Sequence, residues 1–210
     1  AALNVWRRRK PALHGALVAA GAALATALVA ARWIAAAHPP VFGSYENSVA
    51  AAWILSLGWL CVFLCHREQR GLTRGGAAVN AIILLWGAWF NCTRIPLTIS
   101  EQSLWPEFHA LFGWLAFFGL TAALFAACRG ACRADSGAGA PACGLKADEG
   151  VCPTNPRPTD SENERRAETT LGWMLFAFSM LSVSVALGVI YEFRLIWRWW
   201  SWDLVETTTL

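Results

Sequence analysis

The chain is expected to be all-α, a polytopic bundle of about five transmembrane helices forming a single domain over residues 1–210. Three observations predict this. Of the 210 residues, 56% are hydrophobic and only 15% are charged, far from the balance of a soluble domain. Five stretches approach the roughly 20 apolar residues needed to cross the hydrocarbon core of a bilayer. The polar stretches between them alternate in basic content, as loops on the two sides of a membrane do.

The first span, 13–36, follows the basic run Arg7 to Lys10. A signal peptide shows the same order, but the stretch is long enough to span and lacks a convincing cleavage site, so a retained helix is expected. The second span, 49–65, is the shortest; the third, 77–97, carries Arg94; the fourth, 108–127, opens beside His109; the fifth is 171–190. The segment 128–170 is rich in Gly, Pro and charged residues and reads as a disordered cytoplasmic loop.

Lys and Arg resist translocation while Asp and Glu hardly matter. With the N-terminus in the cytoplasm, the cytoplasmic segments hold 13 of the 17 basic residues, and the outer face keeps only Arg32, Arg94, Arg194 and Arg198. The fifth helix then delivers a Trp-rich segment, 197–206, to the outer side. The net charge of +3 is small and scattered, so no nucleic-acid partner is expected, whereas membrane lipid is. The seven Cys contain no C-x-x-C-H, which excludes a covalently attached c-type haem on this chain. Cys61 with Cys65, and Cys128 with Cys132, have i, i+4 spacing and read as small apolar packing residues.

On the outer side three features converge: the loop from His38 to Ser48, the connection leading to His109, and the run Trp197-Arg198-Trp199-Trp200-Ser201-Trp202-Asp203-Leu204-Val205-Glu206. Aromatic faces there suit a flat apolar ligand, a cation suits its carboxylates, and an imidazole suits a central metal, a combination that describes a porphyrin. The plainer reading of the indoles is an interfacial aromatic belt, which does not require the adjacent Asp203 and Glu206.

Trp200-Ser201-Trp202-Asp203 with Glu206 resembles the W-x-W-D-x-x-E core of the WWD signature of the cytochrome c assembly proteins, a membrane family that handles haem. The loop with Pro39, Tyr45, Glu46 and Ser48, and the position of His109, are similar to the CcsA-type branch, so that the likeness runs from about residue 31 to 210. The resemblance implies a cytochrome c biogenesis protein of the bacterial plasma (inner) membrane. Such a protein presents non-covalent b-type haem at the outer face to the C-x-x-C-H motif of an apocytochrome c, as part of a haem lyase (synthase) working with another maturation subunit. It implies a haem platform of Trp199, Trp200, Trp202, Asp203 and Glu206, with His109 as an axial ligand to the iron. His38 is the candidate second ligand, or else orders its loop, and Arg94 is a candidate partner for a propionate, with Glu101 or water as alternatives.

The sequence departs from the family pattern in three places, two of them in and just before the signature. Leu204 stands where Pro is usual, and Ile196-Trp197 stands where a Trp-Gly pair is usual. The family also carries further helices with a second outer histidine, so the chain is expected to be a fragment of a larger bundle. Other branches export haem or pass it to a chaperone, which leaves a haem exporter or delivery subunit as an alternative. A redox protein with permanent b-type haem is another, and it calls for paired histidines within the spans; the chain has only His14, His38, His66 and His109.

Overall fold

The computed structural model describes residues 2–36, 38–40, 43–90, 104–138 and 160–196. These form five α-helices: α1 (Ala2–Ala36), α2 (Ser44–Cys65), α3 (Thr73–Ala88), α4 (Leu104–Ala138) and α5 (Asp160–Ile196), with a 3-10 helix, Arg67–Leu72, between α2 and α3. The protein is all-helical among the described residues. Four segments are long and apolar enough to cross a membrane: Ala12–Ala36, Ser44–Cys65, Trp105–Arg129 and Ser161–Phe193. In hydrocarbon a helix is the natural solution, because it satisfies its backbone hydrogen bonds without water.

The third expected span differs in extent. α3 begins at Thr73, four residues before the expected start at 77, and has 16 residues to Ala88. At 1.5 Å per residue these cover about 24 Å, short of the roughly 30 Å hydrocarbon thickness; residues 91–97 of the expected span lie outside the described set. The expected cytoplasmic loop differs as well. α4 continues through Ala138 and α5 begins at Asp160, so both flanks of the 128–170 segment are helical. On the α5 side, Arg166 lies 3.6 Å from Glu162 one turn earlier, the i, i+4 spacing that favours a polar helix even without a buried face.

Helices consecutive in the chain run antiparallel, and their contacts keep register. Along α1, Gly15 meets Phe63, Thr26 accepts from the Trp53 indole at 3.0 Å and Arg32 meets Glu46 at 2.8 Å, so that moving forward along α1 moves back along α2, to within a residue at each step. Gly15, Ala22 and Val29 recur every seven residues on this seam, and Ala22 and Val29 are buried, the small-residue face that lets two membrane helices approach. On α3, the Asn80 amide donates to Ser56 Oγ at 2.7 Å. Gly76 lies so close to Trp59 that a methyl group there would overlap the indole.

The core is centred on α2 and α4, where Leu55, Trp59, Val62 and Leu72 pack against Phe118 and Ala122. α2 and α4 run in the same direction, tied by the Trp114 indole donating to Asn47 Oδ1 at 2.8 Å. Elsewhere large apolar side chains point outward, including Trp89, Leu85, Phe178 and Leu24, which a bilayer would cover. The 3-10 turn is fastened from several sides: Arg70 Nε donates to the Phe63 carbonyl at 2.8 Å, the Trp173 indole to Gln69 Oε1 at 3.0 Å and His14 Nε2 to Thr73 Oγ1 at 2.7 Å. The first of these satisfies a carbonyl that the end of α2 would leave open.

Candidate functional site

The end of the bundle where α1 and α5 finish and α2 and α4 begin carries the candidate residues that the structure describes. His109 lies in the second turn of α4 and faces α5. Its Nδ1 is 2.7 Å from the Ser184 carbonyl. A carbonyl can only accept, so Nδ1 is the donor, and a neutral ring in this tautomer has its lone pair on Nε2.

Ser184 makes a second bond in return, its hydroxyl donating to the His109 carbonyl at 2.9 Å. One turn on, Gly188 gives the ring room: a Cβ there would sit 3.1 Å from Nδ1 and 3.2 Å from Cε1. The imidazole is thus laid along α5 and held at one nitrogen. Nε2 has no hydrogen-bond partner among the described residues and His109 is exposed. Fixing one ring nitrogen on a backbone carbonyl while the other stays basic is how proteins orient a metal-ligating histidine.

His38 stands at the same end with Nδ1 2.9 Å from the Pro39 carbonyl. Pro39 and Pro40 help line a cleft of about 180 Å³ with Trp33, Trp53, Glu107 and Trp114, smaller than the roughly 300–1,000 Å³ of a typical ligand pocket. Glu107 and His109 are two residues apart, about 200° around a helix of 3.6 residues per turn. The cleft beside His38 and the imidazole of His109 therefore lie on opposite sides of α4. Arg94, Trp199, Trp200, Trp202, Asp203 and Glu206 lie outside the described residues.

Beneath His38, Arg32 and Glu46 form a largely buried ion pair at 2.8 Å, with side-chain exposures of 18% and 5%, and the guanidinium lies 5.1 Å from the centre of the Tyr45 ring. Arg32 is thereby neutralised within the bundle, as a cation in apolar surroundings must be. Among the described residues no three His, Cys, Asp or Glu side chains gather into a metal-binding group. Cys61, Cys65 and Cys128 are exposed free thiols and not core packing residues. Cys61 and Cys65 lie one turn apart on α2, their sulfurs 4.0 Å from each other, while that helix buries Trp59, Val62 and Phe63 instead.

Ser184, Gly188 and the Arg32–Glu46 pairing were not singled out by the sequence. The S-x-x-x-G spacing on α5 is a usable signal for a helix that receives another side chain, but nothing in it names a residue 75 positions earlier. Searches for similar proteins gave no matching family model, no matching curated protein and no matching solved structure. The resemblance at residues 200–206 stands on those residues alone.

Proposed function

We propose that the protein handles haem for cytochrome c maturation, holding it non-covalently for presentation to the C-x-x-C-H motif of an apocytochrome c. The observation that carries this reading is the His109–Ser184 arrangement, which leaves an exposed imidazole with its basic nitrogen unengaged. The donor chemistry fits one axial position on an iron porphyrin. The W-x-W-D-x-x-E sequence supports the same reading, because α5 ends at Ile196, at the end of the bundle where α4 begins, and the signature follows within a few residues.

In this reading His109 would hold the haem iron, with Ser184 and Gly188 fixing its ring, and Trp199, Trp200, Trp202, Asp203 and Glu206 would form the platform. Arg94 is the proposed partner of a propionate, and His38 a loop-ordering residue whose cleft opens on the other side of α4. When bound, haem would supply the vinyl groups that become thioethers; the protein's task is orientation. We place this face outside the bacterial plasma membrane with the N-terminus in the cytoplasm, on the strength of the basic residues in the alternating segments.

The test is haem content. The purified full-length chain should carry haem, and His109→Gly should lose much of it, with added imidazole restoring part. Equal haem in wild type and variant would remove His109 from the site. An exporter or delivery subunit would bind haem in the same way but would not be needed once haem and apocytochrome are supplied together on the outer side.

A further inference from the structure

At the end of the bundle opposite His109, a cavity of about 750 Å³ opens between the 3-10 helix, the end of the apolar part of α4 and the first turns of α5. Its lining divides by chemistry. Leu72, Gly75, Phe125 and Ala126 form an apolar side; Arg129, Arg165 and Arg166 form a basic one, opposed by the carboxylates of Glu68 and Glu162.

The cations are unevenly engaged. Arg166 lies 3.6 Å from Glu162, whereas Arg129 and Arg165 have no ion-pair partner among the described residues. Arg129 is seated over Gly71, where a Cβ would come 2.9 Å from Nη1 and 3.0 Å from Cζ. The glycine gives the guanidinium space to lie across the cavity wall.

Position supplies the second argument. The apolar segment of α4 ends at Arg129, so the cavity sits where hydrocarbon gives way to headgroups, with its apolar side toward the former. We propose that it binds an anionic phospholipid, the phosphodiester against Arg129 and Arg165 and the upper acyl chain against Phe125 and Leu72. Among the described lining residues, three arginines against two carboxylates leave the wall net positive. A zwitterionic choline lipid brings its own cation and cannot neutralise that excess, whereas a lipid with net negative charge can. The volume lies within the range of pockets that enclose a ligand group. This site is independent of the haem reading.

The experiment uses the full chain in phosphatidylcholine nanodiscs doped with phosphatidylglycerol, with retained lipid counted by mass spectrometry after release into detergent. Phosphatidylglycerol should be retained over phosphatidylcholine. Arg129→Gln and Arg165→Gln should each lower its retention roughly fivefold, the effect of about one favourable charge near a membrane surface. Arg129→Lys should preserve most of it. Glu162→Gln should raise retention by freeing Arg166, which keeps the proposal testable even if the glutamine variants of the arginines fold poorly. Equal retention of the two lipids, or retention unmoved by Arg165→Gln and Glu162→Gln, would overturn the proposal. So would displacement by glycerol phosphate or inorganic phosphate at concentrations equal to the lipid's, which would mark a site for a soluble phosphate.

Discussion

His109 and Ser184 grip each other twice across the α4–α5 seam, the ring donating from Nδ1 to the Ser184 carbonyl at 2.7 Å and the Ser184 hydroxyl donating to the His109 carbonyl at 2.9 Å. The ring bond comes from a backbone carbonyl, so it survives loss of the serine side chain. Ser184→Ala should therefore cost about 1 kcal/mol of stability, one hydrogen bond, and leave most of the haem in place. Gly188→Val acts directly on the ring, because its Cβ would crowd Nδ1 and Cε1. It should lower haem occupancy toward that of His109→Gly. Absorbance at the Soret band of purified protein reads both, and wild-type occupancy in Gly188→Val would show that the ring's placement on α5 does not matter.

The proposed platform residues call for a separate readout. Trp202→Ala and Asp203→Ala should abolish cytochrome c maturation while leaving the protein at normal levels in the membrane. Haem-stained gels for the matured cytochrome, with immunoblots of the membrane fraction, distinguish loss of function from loss of protein. Normal maturation in both strains would return the indoles to an interfacial aromatic belt.

The Arg32–Glu46 pair is the largest electrostatic commitment among the described residues. Removing one partner strands the other in apolar surroundings, so Glu46→Ala and Arg32→Ala should each destabilise the protein by about 3 kcal/mol or more. The exchanged pair, Arg32→Glu with Glu46→Arg, should recover part of the loss. Thermal unfolding in detergent measures this, and single variants that melt with the wild type would show that the pair contributes nothing net.

Among the described glycines, Gly76 makes the closest approach to a facing side chain, that of Trp59. Gly76→Ala should cost on the order of 1–3 kcal/mol by overpacking against a buried indole. Trp59→Phe in the same chain should relieve part of that cost, since the smaller ring vacates the overlap and the Trp59 indole nitrogen has no acceptor to lose. A double-mutant cycle on melting temperature isolates the coupling; additive effects would mean that the two helices separate rather than clash.

The candidate site was legible in part. His109 could be chosen by its place at the start of an apolar span and by the resemblance to the CcsA-type branch, and residues 197–206 because four indoles in six residues followed by carboxylates are rare. The serine and glycine that orient the histidine were invisible, since Ser and Gly are ordinary members of membrane helices and their role depends on what crosses them. The helical flanks of the 128–170 segment were hidden for a different reason. Their polarity matched that of a loop, whereas the helix there continues from an apolar segment already formed, which removes the cost of nucleation.

By itself the sequence determined the helical class seen among the described residues and four of the five stretches it marked as apolar enough to cross a membrane, because a backbone in hydrocarbon must satisfy its own hydrogen bonds and composition over one span is enough to say where. Tertiary structure alone decided which faces of those helices meet: Arg32 with Glu46, His109 with Ser184, and the cleft near His38 on the far side of α4 from His109. Lipid and neighbouring helix are equally apolar, so the rotation of each helix leaves no hydrophobic stripe in the sequence. It is set by small residues, buried polar pairs and the order in which the spans pack.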